Sequence, residues 1–368
     1  MSNGKRIQTL EGLRALAFIA VMISHAGFER YTEWTGAWGV SVFFVLLGFV
    51  SMLGNKEYPF IPSIKTNIKY MCSRITKTYP VHIITMLAMV IFNFLGTSKV
   101  SVIRTIRQLV TNILLIQEWF PIVERSINKT SWFLCAVIMF YFISPWILPT
   151  IKKVTPKRAV QSIILLFLMQ LIAGLIGYSL PKPVYSEGMI LDSDIVCWFI
   201  YRFPPVRLID ILIGCNLGVI FQEYKNKIIN NASLYELLAV FGIALTGMIY
   251  EFVKIYMPHD TVNTFLNYHQ WFTYSLIFTP VSVMLVYLFA LGQGVISRKT
   301  VNKATMFLAH TSSYGFLIHT VVFWYLTMIG RRLLKIPGEF QPFLNITIGV
   351  AITLVLSNTW ITAVKGKK

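Results

Sequence analysis

Leu10 to Gly27, LEGLRALAFIAVMISHAG, decides the fold of this chain. It is an apolar run of membrane-spanning length that nevertheless holds Glu11, Arg14 and His25. A helix advances about 100° per residue, which puts Arg14 about 60° and His25 about 40° from Glu11, so the three share one face. Along the axis Arg14 and His25 stand roughly 16 Å apart, about half the hydrocarbon thickness. Ionisable groups in a spanning helix are costly and turn toward a bundle interior or a watery cavity.

The rest of the 368-residue chain repeats the apolar theme. Hydrophobic residues make up 55% and charged residues only 13%, about half the charged share of a soluble domain, and mean hydropathy is +0.64. Apolar runs at 10–28, 36–54, 79–96, 131–150, 159–179, 206–222, 235–253, 270–292, 305–328 and 343–362 predict an all-α polytopic membrane protein, a bundle of about ten transmembrane helices. The run 108–118 is too brief to cross, so 97–130 is expected to be an external segment with an interfacial or re-entrant piece. Lys5 and Arg6 precede the first run without a small-residue cleavage site after it, so that run is expected to be retained.

A net charge of +18 suggests nucleic acid in a soluble protein, but here Lys and Arg crowd the short loops between apolar runs and act as topology determinants; no nucleic-acid partner is expected. With both termini cytoplasmic, the inner segments hold most of the cations and only Glu57, Glu223 and Glu236 among the acids. The external stretch 180–205 carries four prolines with Glu187, Asp192 and Asp194, either an ordinary solvated loop or a surface that meets a polar ligand. Cys72, Cys135, Cys197 and Cys215 are scattered and read as packing residues; no zinc spacing, phosphate-binding loop or nucleophile elbow occurs, so no metal is expected.

The opening stretch resembles the start of membrane acyltransferase family 3, whose members often read LDGLRGLAALLVVLxH. Trp38–Phe49, WGVSVFFVLLGF, is similar to the family's GVxxFFVLSGF helix, and Ser73–Pro80, SRITKTYP, falls at its basic RRxxRxxP-like segment. Ser131–Pro145, SWFLCAVIMFYFISP, is similar to its WFLSALLxxYxxxP variant, Pro204–Gly214, PPVRLIDILIG, to PxxRLxDFLxG, and Ser313–His319, SYGFLIH, to SYxxYLIH. The chain departs from the pattern at Ser73, where members carry arginine, at Leu47, where many have serine, and at Val137, where one branch has glutamate.

This resemblance implies one integral-membrane acyltransferase domain over 1–368 with no appended soluble domain, in a bacterial cytoplasmic membrane. It implies acyl transfer, acetyl or larger, from acetyl-CoA or another acyl-CoA to a carbohydrate hydroxyl of a surface polysaccharide or lipid-linked glycan. Such chemistry needs a base near neutral pH, which assigns His25, either as base or as transient acyl carrier. Arg14 is expected to hold a CoA phosphate or steady the thioester oxygen, with Glu11 positioning it. Arg74 and Lys77 form a cytoplasmic cation cluster that suits CoA phosphates and equally suits the positive-inside rule. Arg207 and Asp210, at i and i+3, pair structurally or shape an acceptor site; His82 and His319 are candidates for secondary polar roles. Trp119, Trp198 and Tyr201 are aromatics of the membrane interface or stacking platforms for sugar rings. A glycan exporter or flippase remains the alternative, since intramembrane charges suit a transport path as well.

Overall fold

The computed structural model describes residues 7–54, 61–96, 102–120, 126–180, 198–256 and 277–365. The described residues are predominantly helical, with no strand among them, and each of the ten expected apolar runs contains a helix. The main helices are α1 Gln8–Ser24, α2 Glu29–Leu53, α3 Ile64–Ile75, α4 Tyr79–Gly96, α5 Val102–Ile113 and α6 Trp132–Ile151. They continue with α7 Pro156–Ser179, α8 Pro204–Tyr224, α9 Ala232–Tyr256, α10 Phe278–Leu291, α11 Lys303–Arg332 and α12 Val350–Lys365. Seven helical stretches among the described residues are long and apolar enough to cross a membrane, and the pair α3–α4, bent by 67°, makes an eighth. α1 has 17 residues and α10 has 14, which leaves them short of that length. The chain is a multi-pass membrane protein.

Burial sorts the helices into a centre and a rim. The spans in α2 and α8 are 72% buried within the protein, whereas those in α7 and α9 are only 28% buried. The rim helices present rows of apolar side chains outward, such as Ile164, Leu168 and Leu175 on α7 and Leu238, Phe241 and Phe252 on α9. In water such rows would be a large exposed apolar patch; in a bilayer they are the lipid face.

Small residues set the closest crossing. A Cβ on Gly48 of α2 would collide with the Ile211 carbonyl, and one on Gly214 of α8 with the Val45 carbonyl. The two backbones therefore touch where both helices lack side chains, as small residues allow in membrane bundles. α1 packs between α2 and α11, with Phe18 against Gly315.

The segment after α4 folds back. Tyr79 Oη donates to Ile113 O and His82 Nε2 to Asn112 O, each at 2.9 Å, so the end of α5 meets the start of α4. Leu115 follows with φ +55° and is buried with Val81, Leu134 and Leu317. The segment expected to be interfacial or re-entrant thus returns to the level of the α3–α4 bend before α6 begins. Cys135 and Cys215 are buried and Cys72 exposed; Cys197 and the acids Glu187, Asp192 and Asp194 lie outside the described residues.

Candidate functional site

A cavity of about 420 Å3 runs between α2, α6 and α11, closed on a fourth side by α3 and by Arg14 of α1. That volume falls in the usual range for small-molecule sites. Among the described residues three cations line it: Arg14, Arg74 and Lys152. Its other wall is apolar and aromatic, with Phe43, Phe133, Phe140 and Phe316 among the lining residues. The shape suits an elongated ligand with an anionic head and an uncharged arm.

Each cation is placed by local structure. Arg14 Nη1 lies 3.3 Å from Glu11 Oε2, one helical turn back, and the side chains keep 31% and 21% exposure inside a bundle, which fits an opening onto the cavity. The guanidinium of Arg74 stacks over Tyr70 at 4.7 Å, fixing an otherwise mobile side chain at the cavity wall. Lys152 Nζ donates to Gly54 O at 3.2 Å, which joins the end of α6 to the end of α2 at the mouth. Lys77 lies past the end of α3, exposed, and does not line the cavity. Of the two expected cations of that segment only Arg74 faces the ligand space. Lys152 was legible only as a loop cation; nothing in its neighbourhood marks it as a lining residue.

Ser144 shows how α6 tolerates the first of its two prolines, Pro145. Pro145 cannot donate to Tyr141 O, and the Ser144 hydroxyl does so instead at 3.1 Å. Both Tyr141 and Ser144 line the cavity.

His25 caps α1 rather than continuing it, since the helix ends at Ser24 and Gly27 takes φ +107°. Its Nδ1 lies 2.9 Å from Val21 O and 3.3 Å from His319 Nε2. His319, fully buried, has its own Nδ1 3.0 Å from Gly315 O. A carbonyl only accepts, so both rings carry their proton on Nδ1. His25 Nδ1–H then points at Val21 O and His319 Nε2, and the basic lone pair of His25 is on Nε2. The rings stand 5.2 Å apart at 62°. His319 also meets Phe316, a cavity-lining residue, at 6.1 Å between ring centroids. Phe316 therefore touches both the cavity and the histidine pair.

The helix carrying His319 is held by a buried amide. Asn128 Nδ2 donates to Leu317 O at 2.8 Å, and Thr320 Oγ1 donates to Asn128 Oδ1 at 2.8 Å. Asn128 and its neighbour Thr130 are buried polar groups without a preceding apolar pattern to mark them, and sequence reading passes over both.

Arg207 and Asp210 are brought together but not to the cavity. Arg207 Nη1 lies 3.1 Å from Asp210 Oδ2, with 1% and 0% exposure. Arg207 Nη2 donates to Ile200 O at 3.0 Å, and the guanidinium lies over Phe44 and Tyr201. Asp210 Oδ1 accepts from Gln170 of α7 and, at 2.8 Å, from Thr279 of α10. This closed network ties three helices; neither residue has a face open to the cavity described above. His82, also fully buried, ties α4 to the end of α5. Trp198 is buried, donating from Nε1 to Glu118 O at 2.9 Å, Tyr201 packs on Trp132, and Trp119 meets Phe203 edge-on.

The family described as Acyltransferase domain matches residues 7–359. "Acyltransferase MdmB" of Streptomyces mycarofaciens is 25% identical over 233 residues, which is 59% of this chain and 58% of that protein. The chain thus spans a little over half the length of that relative. No solved structure matches.

Proposed function

This chain belongs to the Acyltransferase domain family, and from that premise we propose that it is an integral-membrane O-acyltransferase. It moves an acyl group, acetyl or larger, from acyl-CoA to a hydroxyl of a cell-surface polysaccharide or its lipid-linked precursor, in a bacterial cytoplasmic membrane. One observation carries the reading: the cavity gathers Arg14, Arg74 and Lys152 along with Phe316, the neighbour of the His25–His319 pair.

The donor enters from the cytoplasmic side, its phosphates against Arg74 and Lys152 and its uncharged arm along the aromatic wall. Arg14, held by Glu11 one turn back and roughly 16 Å of helix from His25, meets the donor's anionic part rather than the reacting carbonyl. The acceptor reaches His25 from the outer half. His25 Nε2 takes the hydroxyl proton as the oxygen attacks the thioester carbon; the C–O bond forms, the C–S bond breaks, and the departing thiolate recovers the proton. His319 holds the His25 ring through Nδ1, so that Nε2 is the nitrogen presented for chemistry. Arg207 and Asp210 contribute by keeping α7, α8 and α10 together.

The test uses purified protein in proteoliposomes, labelled acetyl-CoA and a glycan fraction from the host. Wild type is expected to place label on glycan, and His25→Ala to lose at least tenfold, about 1.4 kcal/mol of barrier. Transfer that survives His25→Ala moves the base elsewhere. No transfer from any acyl donor, with a glycan-export defect in a deletion strain, overturns the enzyme in favour of an exporter.

A further inference from the structure

The cavity has a polar end and an aromatic end. On α2 its lining runs from Gly54 back to Phe43, and on α6 from Lys152 back to Phe133. Lys152 and Gly54 meet at the mouth, so Phe43 and Phe133 both lie at the end remote from it. There they meet Phe316 of α11: ring centroids are 5.8 Å for Phe43–Phe316, 5.2 Å for Phe133–Phe316 and 6.4 Å for Phe43–Phe133. Behind them Phe44, fully buried, stacks on Phe133 at 4.5 Å. Phe43 and Phe133 are only partly buried although they sit deep in the bundle, because their remaining surface faces the cavity.

From Gly54 to Phe43 is eleven residues of helix, about 16 Å. A pantetheine arm laid along that length from a phosphate at the mouth brings its sulfur close to the three rings. Whatever is bonded to the sulfur must then fit against packed aromatic side chains, and close-packed rings give way only at a cost. We propose that Phe43, Phe133 and Phe316 are the specificity-determining end of the donor cavity and restrict the transferred group to a short acyl chain. The inference rests on the reading of this cavity as the donor site and adds the class of donor that it takes.

The experiment compares acetyl-CoA, butyryl-CoA and hexanoyl-CoA as donors in proteoliposomes, and measures binding of each to the same preparations. Wild type is expected to transfer acetyl at least about tenfold faster than hexanoyl, the scale on which apolar pockets discriminate by size. Phe133→Ala and Phe316→Ala are expected to reduce that preference roughly tenfold, and Phe316→Trp to sharpen it. Phe316→Leu, which keeps most of the fill, serves where an alanine variant fails to insert, and is expected to relax the preference less. Wild type that uses hexanoyl as well as acetyl overturns the proposal, as does an unchanged donor ratio in the folded variants. Absence of both binding and transfer with every donor is a different result: it removes the donor-site reading itself.

Discussion

His25 and His319 are separated by 294 residues and joined by 3.3 Å. Because His319 accepts through Nε2, the proposed function makes it a positioning residue for His25 rather than one that touches substrate. His319→Ala is therefore expected to lower kcat roughly tenfold while leaving the donor KM near its wild-type value, and His319→Gln, whose amide oxygen also accepts, to restore part of it. A matching rise in KM would instead point to a packing defect. Under the proposed function Arg74 and Lys152, both lining the cavity, act on the donor by charge. Alanine at either is expected to raise the donor KM by about one order of magnitude, as loss of a charge-assisted hydrogen bond does, with a weaker dependence of KM on salt and little change in kcat. Arg74 and Lys77 are three residues apart in one basic segment, yet only Arg74 lines the cavity; spacing alone did not separate them. The difference is one of facing: Tyr70, Arg74 and Thr78, spaced by four, line the cavity, whereas Lys77, also past the end of α3 at Ile75, is exposed and does not.

The elements that carry the site owe their placement to contacts without charge. α2 and α8 meet through Gly48 and Gly214, and that backbone contact fixes the face of α2 that turns toward α6. The Arg207–Asp210 pair then pins α8 to α7 and α10. Removing one partner of such a pair leaves an uncompensated buried charge. Arg207→Ala is expected to cost about 3–5 kcal/mol, seen as loss of thermal stability in detergent, whereas the double change Arg207→Met with Asp210→Leu is expected to recover most of it. If the double variant folds well but loses transfer, the pair does more than hold helices. α6 bends its own rules at Pro145 and compensates with Ser144, so a helix-breaking residue inside an apolar run still belongs to a span.

At the scale of the whole molecule, a buried centre of α2 and α8 is wrapped by rim helices whose apolar rows face outward. Both termini are expected on the cytoplasmic side, where a reporter fused after Lys368 fluoresces and a periplasm-dependent reporter stays silent; the reverse pattern would invert the direction from which the donor arrives. The sequence by itself determined the helical class and the apolar runs, because hydrocarbon requires every backbone group to be paired within a helix and so writes its demand into composition. It also marked His25 and Arg14, because a titratable group in such a run stands out against its surroundings. Tertiary structure alone decided that Lys152 lines the cavity and Lys77 does not, that His25 meets His319, and that Arg207 and Asp210 are sealed from it. A helix apolar on nearly every side carries little record of which face meets which neighbour, so those pairings arise only when the helices pack.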